Sequence, residues 1–188
     1  DTLFTGKIRG HYNSSKIFEK YFKYVLSAQD KLFGKNCISS KKINLLSMQE
    51  GDINFCSSKL IKNFLKSDIY IVFGCSYIKS KLVDFLVNQK PINIHMGVSP
   101  YYRGTDCNFW ALYDNNPHLV GSTVHLLTRG LDSGPILYHS LSKKKYDNPF
   151  DYTMSTIKSA FHSIAQRIKD GSIFTIKPLA QDKAVEVR

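Results

Sequence analysis

The stretch 68-DIYIVFGCSYIKSKLVDFLVNQKPINIHMG-97 contains two apolar runs separated by a helical segment. The first run, "IYIVFG", is continuous and ends at a glycine, which is typical of a strand buried on both faces of a parallel sheet. Ser80–Asn88 is predicted to be helical, and the second run, "PINIHM", predicts another buried strand. The stretch therefore predicts a strand–helix–strand unit, the repeating element of an α/β sheet.

The segments on either side continue this alternation. Apolar residues between Ser14 and Phe33 recur at three and four positions, which predicts a helix. The other predicted elements are a short strand at Lys41–Met48, helices at Ser57–Leu65 and Asp106–Tyr113, strands in "VGSTVHLLT" (120–128) and "PILYHSLS" (135–142), and a helix from Pro149 to near Gly171. Together they indicate an α/β fold with a doubly wound, mainly parallel sheet. We expect Trp110, in the short helix, to lie in the core.

Size and composition predict one domain with a short tail. The 188 residues, 43% of them hydrophobic, suffice for one core, so we expect a domain over residues 1–175 and a tail over 176–188. "TLFTG" (2–6) looks like the end of a strand, so we expect an N-terminally truncated chain that lacks a complete first strand. The longest apolar run is about seven residues, far below the ~20 of a membrane helix. Four dispersed cysteines and no leader favour a soluble, cytoplasmic protein with reduced thiols.

The net charge of +11 raises nucleic acid as a partner. The charge comes from 21 lysines and only 5 arginines, whereas bidentate recognition of phosphates and bases favours arginine. Nucleic-acid binding is therefore the less favoured class. No lysine occurs from Pro91 to Ser142, where Arg103 and Arg129 are the only basic side chains besides histidine. This window therefore contains few flexible basic side chains.

Asn93 and His95 are one residue apart on the second predicted strand. Their side chains therefore leave the same face, while those of Ile92, Ile94 and Met96 leave the other. A buried Asn and His with backbone partners would be purely structural. Alternatively, an amide and a protonated imidazole can both donate to one developing oxyanion, an interaction that often supplies most of a rate enhancement.

A second candidate is "LTRGLDSGPIL" (127–137), in which Gly130 and Gly134 flank Asp132 in a loop between two predicted strands. Asp-Ser-Gly alone is an ordinary turn. Beside His95, however, a carboxylate can hold the imidazole charged or move a proton through water, and such acid–base groups contribute roughly 10² to 10⁴ in rate. In doubly wound sheets, ligands bind beyond the carboxyl ends of the strands, where these residues are expected.

Two segments, "INIHMGVSPYYRGTDCNFWAL" (92–112) and "VGSTVHLLTRGLDSGPIL" (120–137), together resemble the formyltransferase family that uses 10-formyltetrahydrofolate. The resemblance rests on an Asn-x-His strand, a Ser-x-x-Pro-x-Tyr/Arg-Arg-Gly turn and a Gly-x-Asp-x-Gly loop, and covers about residues 50–140. It implies a Rossmann-like, metal-independent one-carbon transferase, in which an acceptor amine attacks the formyl carbon. It further implies that Asn93 and His95 stabilise the tetrahedral oxyanion and that Asp132 orients His95 and helps to move the amine proton.

The resemblance also implies two binding surfaces. The pocket for the co-substrate 10-formyltetrahydrofolate would be lined by Phe73, Gly74, Cys75, Tyr77, Ile78, Leu127, Thr128, Arg129, Gly130 and Leu131. The acceptor side would be shaped by Ser99, Tyr101, Tyr102, Arg103 and Gly104. Core packing is the alternative for Phe73 and Ile78, and bracing of the loop is the alternative for Arg103. We expect His125 to be structural, and nothing points to a site role for His11, His118, His139 or His162.

Members of this family formylate an amino sugar on a nucleotide, glycinamide ribonucleotide, or methionine on an initiator tRNA. The turn "GVSPYYRG" (97–104) differs from the Leu-Leu-Pro-Arg-x-Arg-Gly-Ala-Ala-Pro turn of the tRNA enzymes, and about 50 residues remain after Leu137, too few for their additional domain. We therefore expect an amino-sugar nucleotide, with the other two acceptors as alternatives, and we leave a homodimer open. Since only "LFTG" remains of the family's first strand and glycine loop, a degenerate, non-catalytic folate-binding protein is the alternative of another class, beside a basic RNA-binding module.

Overall fold

A computed structural model describes residues 2–7, 15–34, 44–49, 51–62, 65–144, 146–182 and 184–185. His11 lies outside these residues, as do parts of the elements predicted at Lys41–Met48 and Ser57–Leu65. The helices are α1 (Lys16–Phe33), α2 (Ser58–Ile61), α3 (Ser80–Asn88), α4 (Cys107–Tyr113) and α5 (Pro149–Lys169). The strands are β1 (Thr2–Lys7), β2 (Asn44–Gln49), β3 (Ile71–Phe73), β4 (Ile92–His95), β5 (Ser122–Leu126) and β6 (Ile136–Ser140).

The described strands form two sheets. β1 and β2 pair in parallel, so the segment that contains "TLFTG" is a strand with a partner along its six residues. The other sheet has the order β3-β4-β5-β6, in which β3 and β4 are parallel while β4 with β5 and β5 with β6 are antiparallel. The predicted α/β class is confirmed, but the expected mainly parallel direction needs correction, because this sheet is mixed. The connection 127–135 contains no helix, and a parallel pair needs a longer crossover.

Helices cover both faces of the four-stranded sheet. On one face, Ile92 and Ile94 of β4 pack with Val124 of β5 and with Ala160 and Ile164 of α5. The other face is partly covered by α3, whose apolar residues pack with Val72 of β3 and Leu46 of β2. Because Val72 pairs with Asn93, the α3 side is also the face that carries the polar residues of β4.

β3 is less buried than its apolar sequence predicted. Ile71 and Phe73 are 48% and 40% exposed, so the prediction of a strand buried on both faces is wrong. The reason is its position at the edge of the four-stranded sheet, where it has β4 on one side only. β4 fulfils the prediction, since all four of its residues are buried.

The predicted starts of α1 and α5 agree closely with the structure, whereas α2 ends at Ile61 rather than at the predicted Leu65. Ser15 caps α1, with its Oγ accepting the N–H of Phe18 at 3.2 Å. Asn148 caps α5, with its Oδ1 accepting the N–H groups of Phe150 and Asp151 at 2.8 and 3.3 Å, and Pro149 occupies the first turn. Among the described helices, none combines the length and apolarity needed to cross a bilayer.

Trp110 does not lie in the core, contrary to the prediction. The buried side of α4 is formed by Cys107, Asn108 and Ala111, so Trp110 faces outward and is 36% exposed. Its ring lies edge-on to those of Phe109 and Tyr113, at centroid distances of 5.1 and 5.6 Å. The short helix thus presents an aromatic outer surface.

Candidate active site

The end of β4 places two polar side chains on one face of the sheet. Asn93 and His95 are 9% and 5% exposed, and the strand alternation turns Ile92 and Ile94 to the α5 face. A buried polar group without a partner costs about 1–3 kcal/mol, so both side chains need hydrogen bonds. Their partners come from β5, from the turn after β4 and from the loop that joins β5 to β6.

Asp132, in the loop between β5 and β6, contacts both side chains. Its Oδ1 accepts a hydrogen bond from Nδ2 of Asn93 at 3.1 Å. Its Oδ2 lies 3.4 Å from Nδ1 of His95 and accepts the backbone N–H of Gly104 at 3.0 Å. The backbone of Asp132 is left-handed, with a φ of 43°, and its side chain is only 12% exposed. Asp132 therefore meets two residues of the distant strand β4 in one buried cluster.

The surroundings of His95 determine which of its nitrogens carries a proton. Nε2 lies 3.0 Å from the carbonyl oxygen of Tyr102, which can only accept, so Nε2 donates. Burial lowers the pKa of His95 below its ordinary value, although the Asp132 carboxylate and the Tyr102 carbonyl oppose that shift. The imidazole is therefore neutral at pH 7. Its Nδ1 can take up a proton with the counter-ion Asp132 already in place.

The carboxyl of Asp132 stays ionised. Burial alone would raise the pKa of Asp132, but its polar neighbours, among them the N–H of Gly104, more than offset it, so the pKa lies below its ordinary value. A carboxylate next to a neutral imidazole is a suitable pair for accepting and returning a proton.

His125 is the site residue that the sequence did not predict. It pairs with Asn93 in the antiparallel register of β4 and β5, and it is 1% exposed. Its Nδ1 donates to the carbonyl oxygen of Leu126 at 2.8 Å, which leaves Nε2 as the acceptor of a hydrogen bond from Nδ2 of Asn93 at 3.0 Å. Nε2 also lies 3.7 Å from Oδ1 of Asp132. The signal was the alternation of "STVHL", but its pairing with Asn93 required the strand direction.

These bonds define the state of the Asn93 amide. Its nitrogen has two hydrogens, and they go to His125 and to Asp132. The amide is therefore oriented by two acceptors before any ligand arrives. For Asn93 to donate to an oxyanion, the hydrogen held by Asp132 must be released.

Gly97 and Cys107 set the space around His95. A Cβ atom at Gly97 would lie 2.6 Å from Nε2 of His95 and 2.5 Å from Cβ of Cys107, so no side chain fits there. Burial, with help from Asp132 and Asp106, raises the pKa of the Cys107 thiol to about 12. This thiol therefore stays protonated and is no nucleophile. No group of three or more His, Cys, Asp or Glu in the described parts of the chain is arranged to hold a metal ion.

The residues predicted to line the folate fall into two groups. The side chain of Ile78 is in the core with Leu82 and Val83, and Leu127 packs against the same cluster. The others are partly or fully exposed around the end of β3 and the loop after β5: Phe73, Gly74, Cys75, Tyr77, Thr128, Arg129, Gly130 and Leu131. The hydroxyl of Tyr77 donates to the carbonyl oxygen of Arg129. The two segments that were predicted to form one pocket therefore lie side by side.

The residues predicted on the acceptor side also differ in placement. Ser99 is fully buried, and Tyr102 is 4% exposed and reaches the site through its carbonyl oxygen. Tyr101 is 45% exposed, and Gly104 contributes its N–H to Asp132. Arg103 donates from Nε and Nη2 to Oε1 of Gln181, at 3.0 and 2.8 Å. This contact fits the alternative that Arg103 braces a loop. Its partner, Gln181, belongs to the tail, whose position the sequence did not predict.

The sequence model of the formyl transferase family matches residues 22–168, which include the whole cluster. This chain belongs to that family. Over 112 residues it is 31% identical to a methionyl-tRNA formyltransferase of Thermodesulfovibrio yellowstonii. The matched part covers 55% of this chain and 35% of that relative, so the chain spans about a third of the length of the curated protein that it matches.

Solved formyltransferases share the fold. The formyltransferase PseJ from Anoxybacillus kamchatkensis, solved with a UDP-linked formamido sugar and tetrahydrofolate, is 19% identical with a TM-score of 0.58, and the match covers 100% of this chain and 84% of that one. A phosphoribosylglycinamide formyltransferase from Anaplasma phagocytophilum is 18% identical with a TM-score of 0.58, covering 88% of this chain and 92% of that one. Different compounds are named with these two proteins, so similarity of fold alone does not identify an acceptor for this chain.

Proposed function

We propose that this protein transfers a formyl group from 10-formyltetrahydrofolate to a primary amine at the cluster of Asn93, His95 and Asp132. One observation carries the proposal: a buried carboxylate bonds the amide of Asn93 while facing the imidazole of His95. This arrangement holds an amide donor, a neutral imidazole and a base around one point. Family membership narrows the chemistry to formyl transfer.

The acceptor nitrogen attacks the formyl carbon, a C–N bond forms, and the carbonyl electrons move to oxygen. The oxyanion is stabilised by Asn93 and by the imidazolium that His95 becomes when the amine proton arrives through Asp132. The tetrahedral intermediate then breaks its bond to N10 of the folate, which takes the proton and leaves as tetrahydrofolate.

The described residues fit a reduced folate as the formyl donor. A pterin ring presents N–H donors, and the loop 127–131 lies close to the exposed end of β3, where the hydroxyl of Tyr77 donates to the carbonyl oxygen of Arg129. We propose that this loop and Tyr77 hold the pterin, with Phe73 and Cys75 at its edge. Ile78 would support this wall from within the core rather than touch the ligand.

We propose an amino-sugar nucleotide as the acceptor. A cleft of ≈ 270 Å³ lies on the α5 side of the sheet, where Met96 packs with residues of α1 and α5, and is lined by Tyr21, Met96, Asp106, Phe109, Leu112, Tyr113, Pro149, Phe150 and Thr153. Its walls are mainly aromatic and aliphatic, with the carboxylate of Asp106 at one side. Aromatic faces beside a hydrogen-bonding group suit a planar nucleoside base, and from this cleft the amino sugar would have to pass the end of β4 to reach Asn93, His95 and Asp132.

A panel of amines tests this proposal. Release of tetrahydrofolate is measured with amino-sugar nucleotides, the free amino sugars, glycinamide ribonucleotide and methionyl-tRNA. We expect turnover with a nucleotide-linked amino sugar, and Phe109→Ala should raise KM for that substrate more than for the free amino sugar. Phe109→Tyr is the matched control, because it keeps the ring. Turnover with methionyl-tRNA alone would contradict the proposed acceptor.

A further inference from the structure

The C-terminal segment contributes one amide to the loop that carries Asp132. Nε2 of Gln181 donates to the carbonyl oxygens of Asp132 and Gly134, at 2.8 and 2.7 Å. Oε1 of the same side chain accepts both hydrogen bonds of Arg103. The polar groups that flank Gln181 thus come from two different parts of the candidate site, the turn after β4 and the loop after β5.

A short backbone pairing brings Gln181 to this position. Leu179 and Ile136 exchange two hydrogen bonds, with N–H to O distances of 2.7 and 2.8 Å, in an isolated antiparallel bridge at the start of β6. Ile136 follows Gly134 by two residues, and Gln181 follows Leu179 by two. The bridge therefore sets the glutamine beside the Asp132 loop.

The loop needs such a tie because its backbone is under two constraints. Asp132 has a positive φ of 43°, which a residue other than glycine adopts at a cost. A Cβ at Gly134 would lie 1.7 Å from the carbonyl oxygen of Leu126, so the loop passes β5 too closely for any side chain. Gln181 gives hydrogen bonds to the carbonyl groups of both these residues.

Arg103 extends the tie to the opposite side of the carboxylate. The residue after it, Gly104, donates its N–H to Oδ2 of Asp132. One glutamine side chain therefore connects the backbone that carries Asp132 with the turn that holds its carboxylate. Arginine suits this role because its planar guanidinium gives two hydrogen bonds to a single oxygen in a set direction.

We propose that Gln181 and Arg103 are positioning residues for formyl transfer, and that they act by holding Asp132 at its distances from Asn93 and His95. The inference rests on the proposed function of the cluster. Neither residue is assigned a contact with the formyl group or the amine. The pair makes the C-terminal segment part of the catalytic unit, although it lies beyond the residues that the family model matches.

Two substitutions of Gln181 separate the hydrogen bonds that its side chain donates from those that it accepts. Gln181→Ala removes all four hydrogen bonds of the amide. Gln181→Glu keeps an acceptor for Arg103 but cannot donate to the carbonyls of Asp132 and Gly134 when ionised. Misplacement of a catalytic group by ~1 Å can cost ~10²-fold in rate, so we expect both variants to lose about that in kcat, with KM for either substrate little changed. Gln166→Ala, an exposed glutamine on α5, is the matched control.

A second readout does not require turnover. Nuclear magnetic resonance of the His95 ring gives the pKa of that imidazole, which Asp132 influences. Asp132→Asn defines the direction of the change when the carboxylate is lost. We expect Gln181→Ala to shift the pKa of His95 in that same direction, and Gln166→Ala to leave it unchanged.

Three results would overturn the inference. They are wild-type kcat in Gln181→Ala, recovery of wild-type kcat in Gln181→Glu, and an unchanged pKa of His95 in Gln181→Ala. Should Gln181→Ala fail to fold, Arg103→Lys carries the same test, because it keeps the charge and loses the two-pronged contact. If the wild-type protein shows no formyl transfer to any amine, the proposed function fails, while the His95 titration still decides whether Gln181 positions Asp132.

Discussion

The amide of Asn93 is oriented by two hydrogen-bond acceptors from residues that are far from it in the sequence. Its amide nitrogen bonds Asp132, which the loop motif predicted, and His125, which was expected to be structural. His125 is only 1% exposed, as expected of a structural residue, and it also orients the amide of Asn93. The motif spacing was enough to predict that Asn93, His95 and Asp132 lie together. It was not enough for His125, because its register with Asn93 depends on an antiparallel pairing.

Gly97 gives a sharp test at the scale of single residues. Gly97→Ala would place a Cβ 2.6 Å from Nε2 of His95, so the ring must move away from Tyr102 and Asp132. We expect a loss of ~10²-fold in kcat/KM and about 1–3 kcal/mol in the free energy of unfolding. Enzyme assays and urea unfolding measure the two effects. A Gly97→Ala protein with unchanged activity would show that the position of His95 is not critical.

The protonation of His95 and Asp132 predicts how stability depends on pH. Both groups have pKa values below their ordinary ones in the folded state. Between the ordinary histidine value of 6.5 and the lower folded value, the unfolded chain binds the His95 proton and the folded chain does not, so stability falls as the pH falls. Asp132 contributes stability above its ordinary 3.8 that is lost as the pH drops through its folded value.

Urea unfolding between about pH 7 and pH 5 checks the histidine part of this prediction. We expect the wild-type protein to lose more stability over that range than His95→Gln, whose side chain cannot titrate. The difference between the two proteins reports the contribution of His95. A His95→Gln protein with the same pH dependence as the wild type would contradict a lowered pKa.

At the scale of elements, lengths and ends were more predictable than directions. The bounds of α3 follow from the sequence, and the cap and proline of α5 mark its start, because those signals are local. The direction of β5 and the edge position of β3 depend on which strands become neighbours. Apolar runs do not contain that information, and so the exposure of Ile71 was not foreseen.

The N-terminal cap of α5, the helix that packs on the Ile92 and Ile94 face of β4, offers a test at this scale. Asn148→Ala removes the cap of the N–H groups of Phe150 and Asp151 and should lower the free energy of unfolding by ~1 kcal/mol. Asn148→Ser restores an acceptor and is expected to recover most of that loss. Thermal or urea unfolding measures both. Equal stability of all three proteins would mean that the cap does not contribute.

At the scale of the whole molecule, the charge is distributed in a way that fits the site. The lysine-free window from Pro91 to Ser142 includes β4, the turn 97–104, α4, β5 and β6, and thus every residue of the cluster. A lysine at one of the positions that contact Asp132 would add a charged side chain to the buried cluster. The tail was the part that sequence reasoning could not place, because Gln181 has no motif and acquires its role only when β6 pairs with Leu179.

The rate of formyl transfer in Asp132→Asn tests the central claim most directly. Tetrahydrofolate release is followed with an accepted amine in the wild-type protein, in Asp132→Asn and in Asp170→Asn, a matched substitution at the exposed end of α5. Because Asn cannot accept the amine proton, we predict a loss of roughly 10²- to 10⁴-fold in kcat for Asp132→Asn and none for Asp170→Asn. A folded Asp132→Asn protein with near wild-type turnover would contradict the assignment of this cluster as the catalytic centre.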